Sequence, residues 1–90
     1  MKYEWDEKKY SDNIKKHGVD FIDIIAFAWD TAIITEDTRE EYGEQRFVSY
    51  GFIEDRLHCI IYTKRDDAMR IISMRKANRK EQKNYEKAIF

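Results

Sequence analysis

The chain has 90 residues and a net charge of −1, which fits one domain spanning residues 1–90 and is too short for two. Its 42% hydrophobic content is enough for a core despite 39% charged residues, which argues against disorder. No apolar run reaches the ~20 residues of a membrane helix, the opening Met1–Asp6 has no signal-type apolar stretch, and the lone Cys59 can form no internal disulfide. A cytosolic domain is the expectation.

Lys2–Trp5 predicts a short strand with aromatics at period two. Asp6 is placed to cap a helix over residues 7–17, with Tyr10 and Ile14 as its apolar seam, cations in its last turn and Gly18 as a left-handed stop. Asp20 predicts the cap of a second helix from Phe21 to about Trp29, burying Phe21, Ile24, Ile25 and Ala28. Residues 31–35, rich in β-branched side chains, predict a strand that runs into an acidic turn at 36–43. Strands over 45–53, 57–63 and 68–74 follow, joined by short polar turns as antiparallel neighbours. Asn78 and Glu81 form a capping box, opening a C-terminal helix with Tyr85, Ala88 and Ile89 on one face. The order β-α-α-β-β-β-β-α predicts an α+β domain, a twisted antiparallel sheet with two N-terminal helices and one C-terminal helix packed on it.

The near-zero net charge conceals a segregation. Residues 18–45 carry a balance of −7 and residues 64–90 a balance of +5; composition alone favours two ordinary solvated faces, while the dipole also allows the basic end to meet a polyanion. No glycine-rich phosphate loop is present, and the two histidines and one cysteine lack metal-type spacing. The acidic run Glu36, Asp37, Glu40, Glu41 and Glu44 reads as a solvated face, so no metal or cofactor is indicated.

Arginines within strands are the distinctive feature. Arg46, Arg70 and Arg75 share strands with large apolar residues and Arg65 stands in the turn between two of them; on such a sheet face charges are either edge decoration or ion-pair partners unless they bind an anion. A guanidinium suits phosphate because its planar fork donates two parallel hydrogen bonds and never deprotonates. Tyr50, Tyr62 and Tyr85 add surfaces for an unstacked base, although most tyrosines in so small a domain are simply core. His17 has a structural account at a helix C-terminus and a chemical one as an acid or base, and His58 reads as a surface residue.

Tyr3-Glu4-Trp5-Asp6-Glu7, Asn13 with Lys16-His17-Gly18-Val19 and Phe21, Asp37 before Gly43-Glu44-Gln45-Arg46, Gly51, Tyr62-Thr63-Lys64-Arg65, Arg70-Ile71-Ile72-Ser73-Met74-Arg75-Lys76-Ala77, Glu81 and Tyr85 together resemble the BrnT family, toxins of bacterial type II toxin–antitoxin pairs. Met74 departs from the alanine common there. The resemblance implies a RelE-like fold and a metal-independent endoribonuclease without a cofactor, which cleaves RNA and so inhibits translation. It also implies a BrnA-type antitoxin that supplies the DNA operator contact for joint repression of the operon. Arg70 and Arg75 are the candidates for stabilising the anionic phosphorane, and His17, Glu44 and Tyr85 for the proton transfers. Arg46, Arg65, Lys16 and Lys76 are candidates for binding RNA. Arg70 and Arg75 are in opposite strand phase, so both can serve one phosphate only if a bulge, a twist or a strand end re-aims one of them. Two rival readings are a catalytically inactive protein-binding module of the same fold and a direct DNA-binding protein, the latter disfavoured by the negative net charge.

Overall fold

A computed structural model describes residues 2–89, leaving Met1 and Phe90 outside the described residues. In chain order it contains β1 (Lys2–Trp5), α1 (Glu7–His17), 3₁₀ segments at Phe21–Ala26 and Trp29–Thr31, β2 (Ile33–Asp37), β3 (Arg46–Ile53), β4 (Arg56–Arg65), β5 (Ala68–Lys76) and α2 (Arg79–Ile89). The α+β class stands, but the sheet is mixed rather than antiparallel. Its order is β1-β5-β4-β3-β2; β2 to β5 form an antiparallel meander, and β1 lies parallel to β5 at its outer edge.

α1 is bounded as its sequence predicts. The Asp6 carboxylate accepts from the Lys9 amide at 3.0 Å, and Gly18 closes the helix in the left-handed region at φ 69°. Its inner face differs from the expected seam: Ile14 is partly exposed and Asn13 is the buried residue. The Asn13 amide donates to the carbonyls of Val19 (3.0 Å) and Met74 (2.8 Å) and accepts from the Met74 amide at 3.2 Å. β1 pairs with β5 only as far as Ile71. Beyond that point Asn13 takes the place of an edge strand, satisfying backbone groups that would otherwise be buried unpaired.

The second predicted helix is a 3₁₀ segment that ends at Ala26. Phe21, Ile24 and, just past its end, Phe27 are buried, a spacing of three that matches 3.0 residues per turn, and Ile25 points to solvent. The sheet competes for the next residues: Phe27 bridges Ile53, and the Ala28 amide donates to the Phe52 carbonyl at 2.8 Å. An α-helix through Trp29 would forfeit these bonds.

Each face of the sheet carries a core. On one face Phe21, Ile24 and Phe27 pack with Ile60, Tyr62, Ile71 and Met74 of the sheet; on the other Tyr85 of α2 packs with Leu57 and Ala77. α2 starts at the predicted capping box, with the Glu81 amide donating to Asn78 (2.8 Å) and the Asn78 amide to Glu81 (2.9 Å). His58 is buried rather than on the surface, because β4 is an inner strand. Its Nδ1 lies 2.8 Å from the Arg56 carbonyl oxygen.

Candidate functional site

β4 pairs with β5 in a register that shifts between Ile61, opposite Ser73, and Tyr62, opposite Ile71. Ile72 has no counterpart, which makes it the extra residue of a β-bulge. The bulge reverses the phase of β5. Met69, Ile71 and Met74 are all buried in the core, while Arg70 lies opposite Thr63 and Arg75 opposite Cys59 on the α2 side. The two arginines that strict alternation would separate therefore share one face.

The cross-strand register resolves this face into rows. Ile33, Tyr50, Cys59 and Arg75 make one row; Thr35, Val48, Ile61 and Ser73 the next; Asp37, Arg46, Thr63, Arg70 and Glu4 a third. Successive rows are roughly 6.5 Å apart, two residues of extended chain. α2 covers the near end, and the 38–45 segment borders the far end. A groove of about 270 Å³ remains, bounded by Arg39 and Arg75 and floored by Val48, Cys59 and Ile61.

Every arginine here meets a carboxylate. The Glu81 oxygens each accept from a terminal nitrogen of Arg75 at 2.8 Å, and Glu81 also accepts from the Tyr50 hydroxyl at 2.9 Å. The Arg75 hydrogen bonds, against the cost of burial, pull the Glu81 carboxyl down to about 2. Asp37, almost fully buried, receives Arg39 through two bonds of 2.8 Å and the Tyr42 hydroxyl at 3.1 Å. The Arg39 bonds are the main reason that its carboxyl titrates far below the usual range. Arg46 lies over the Tyr42 ring at 4.1 Å and 3.6 Å from Glu44, which also sits 3.4 Å from Arg65. Arg70 is 3.7 Å from Glu4.

The sequence candidates divide by position. Arg46, Arg70 and Arg75 face the same side, and Glu44 joins Arg46 to Arg65. His17, at the end of α1, lines a second depression of about 200 Å³ with Lys16, Ile72 and Ser73, past the edge of β5. Burial first, then the charges of Lys16 and Arg75, lowers its pKa below the ordinary histidine value. Tyr85, on the inner face of α2, is buried and donates its hydroxyl to the Thr31 carbonyl at 2.7 Å; it lines a separate hollow with Tyr50 and Glu81. Lys76 stands opposite His58, on the face away from Arg75. Among the described residues, no group of three or more His, Cys, Asp or Glu side chains is placed to share a metal ion.

Arg39 escaped the sequence reading because it is the single base of an acidic stretch. Its signal was local, a carboxylate two residues earlier at a strand end. Glu81 was legible only as a helix cap, and its second role at Arg75 is tertiary.

No curated protein matches the chain. The family model that matches describes BrnT, the ribonuclease toxin of type II toxin–antitoxin systems, and it spans residues 5–81. Asn13, His17, the bulged strand β5 with its two arginines and Glu81 all fall within that span.

Proposed function

The chain belongs to the BrnT family, ribonuclease toxins of type II toxin–antitoxin systems, and from that premise we propose that it is a metal-independent endoribonuclease of RelE-like fold acting at the Arg75 side of the sheet. In this reading the ribose 2′-hydroxyl attacks the adjacent phosphorus, giving a 2′,3′-cyclic phosphate, and the 5′-oxygen leaves and takes up a proton from water, giving a 5′-hydroxyl end. His17 takes the proton of the attacking hydroxyl. A neutral imidazole is required for that step, and a lowered pKa keeps His17 neutral at pH 7. Arg75, whose charge reaches His17, stabilises the extra negative charge of the phosphorane with a fork held in place by Glu81. Arg70, Arg46 and Arg65 bind flanking phosphates two rows away, and Lys16 does so beside His17. Glu44 orients Arg46 and Arg65, and Tyr85 secures α2.

The observation that carries this reading is the bulge at Ile72, which puts Arg70 and Arg75 on one face. RNA cleavage in the cytosol then blocks translation. A BrnA-type antitoxin neutralises the toxin and supplies the operator contact through which the pair represses its own operon.

One observation favours a second reading, a binding module without catalysis: each arginine of the face already has a carboxylate partner. Expression of the chain without antitoxin in a bacterial host, with new RNA 5′ ends mapped by primer extension, separates the two. New ends that disappear in folded Arg75→Ala and Arg70→Ala variants support the ribonuclease. Growth arrest without new ends points to a different target, and neither arrest nor cleavage from a folded chain supports the binding module.

A further inference from the structure

The groove beside Arg75 has an apolar floor, Val48 and Ile61, that the chemistry above does not use. We propose that it seats one unstacked nucleobase of a single-stranded RNA, with the apolar floor of Val48 and Ile61 against the base and Arg39 and Arg75 at its two ends. This proposal rests on the ribonuclease reading and deepens it by naming the form of RNA that the site accepts.

Three observations carry it. First, the row Thr35-Val48-Ile61-Ser73 holds no charge, although the rows on either side hold Arg75 and the Arg46–Arg70 pair. A neutral, partly apolar strip flanked by arginine-bearing rows, the outer of which also holds Asp37 and Glu4, suits a base rather than a phosphate. Second, the groove holds about 270 Å³, at the lower end of the volumes of ligand pockets, which leaves room for one planar base. Third, both ends are built. Asp37 fixes Arg39 with two hydrogen bonds and Glu81 fixes Arg75 with two more, so neither guanidinium needs ordering when the strand arrives. A duplex keeps its bases stacked and paired, with no base free to enter, whereas single strands splay bases onto protein surfaces.

The test uses the full chain and a short fluorescein-labelled RNA strand bearing 2′-O-methyl groups, which bind but cannot be cleaved. The same strand without its bases, and the same sequence as a duplex, are the comparisons, each followed by anisotropy. The intact strand is expected to bind about tenfold or more tightly than the base-free one, a base-contact effect of ordinary size, and more tightly than the duplex. Val48→Gln fills the floor without adding charge or an aromatic surface, and is expected to bring the intact strand down to the affinity of the base-free one. Thr38→Gln does the same from an exposed position on the rim, where misfolding is not at issue.

Equal affinity for intact and base-free strands overturns the groove assignment, as does discrimination that survives both glutamine variants. If RNA cleavage by the wild-type chain persists in that case, the ribonuclease reading stands and only the groove falls. If no strand binds and no RNA is cut, both fall together.

Discussion

Arg75 and Glu81 face each other through two hydrogen bonds of 2.8 Å each, and this pair joins the last strand to the last helix. Glu81 caps α2 through the Asn78 amide and receives the Tyr50 hydroxyl as well. One carboxylate thus fixes the helix start, a sheet tyrosine and the proposed phosphate-binding arginine. Lysine at position 75 would keep the charge and lose the fork. Arg75→Lys is therefore expected to cut RNA roughly 100-fold more slowly, the usual scale for losing one charge-stabilising donor. Single-turnover cleavage measures this, and a rate within a factor of about three would show that charge alone suffices. Glu81→Gln acts mainly on stability, with an expected loss of about 1–3 kcal/mol, read as a lower urea midpoint.

The same carboxylate sets an acid limit to stability. Glu81 titrates at about 2 in the folded chain, against roughly 4.3 for an unfolded glutamate. Between those values the unfolded state binds more protons, so stability is fully present above pH ~4.3 and falls as the pH drops towards 2. Asp37, also shifted down, adds to the loss in the same direction. Urea midpoints measured from pH 6 to pH 2 are expected to fall, and the fall should be shallower in Glu81→Gln. An unchanged slope in that variant would remove Glu81 as a cause.

His17 gives a different pH signature, in rate rather than stability. Its pKa is lowered by burial and by the Lys16 and Arg75 charges, so raising the pH generates the neutral base below the ordinary histidine range. The cleavage rate is expected to rise with pH through a value under ~6.5 and then level off. His17→Gln should abolish that limb and slow cleavage by roughly 100-fold or more, the size of a general-base contribution. A limb that survives the substitution would assign the proton to another group.

Local signals in the sequence identified the helices and the meander, because caps, left-handed stops and apolar runs act within a few residues. Asp6, Gly18, Asn78 and Glu81 all cap or stop helices as read. What escaped depended on partners far away in sequence. The parallel pairing of β1 with β5 joins the two ends of the chain, and no local pattern specifies it. The 3₁₀ segment stops short because β3 claims Phe27 and Ala28, and β-branched Ile22, Ile24 and Ile25 give an α-helix little resistance to that pull. The bulge at Ile72 was recognisable only as a requirement, since strict alternation set Arg70 and Arg75 apart. Tyr85 read as a chemical candidate because its hydroxyl's partner, the Thr31 carbonyl, lies 54 residues away.

Gly51 shows how closely the 3₁₀ segment is packed onto β3. A Cβ added at this position would lie 2.5 Å from Phe27 Cζ and 3.0 and 3.1 Å from its two Cε atoms. The ring has little room to retreat: Phe27 is buried, its backbone bridges Ile53, and Trp29 meets it edge-on at 4.6 Å between centroids. Gly51→Ala is therefore expected to cost about 1–3 kcal/mol as overpacking, with a melting temperature lower by roughly 4–8 °C for each kcal/mol. Gly18→Ala meets nothing within 4 Å, and its cost comes only from the left-handed backbone, about 1–2 kcal/mol. A second substitution tells the two causes apart. Phe27→Leu removes the far ring atoms, so in the Gly51→Ala background it should recover part of the loss, with a coupling of about 0.5–3 kcal/mol; it should recover nothing in the Gly18→Ala background. Thermal melts of the three single and two double variants make the comparison, and additive losses for Gly51 and Phe27 would show that the contact does not limit packing there.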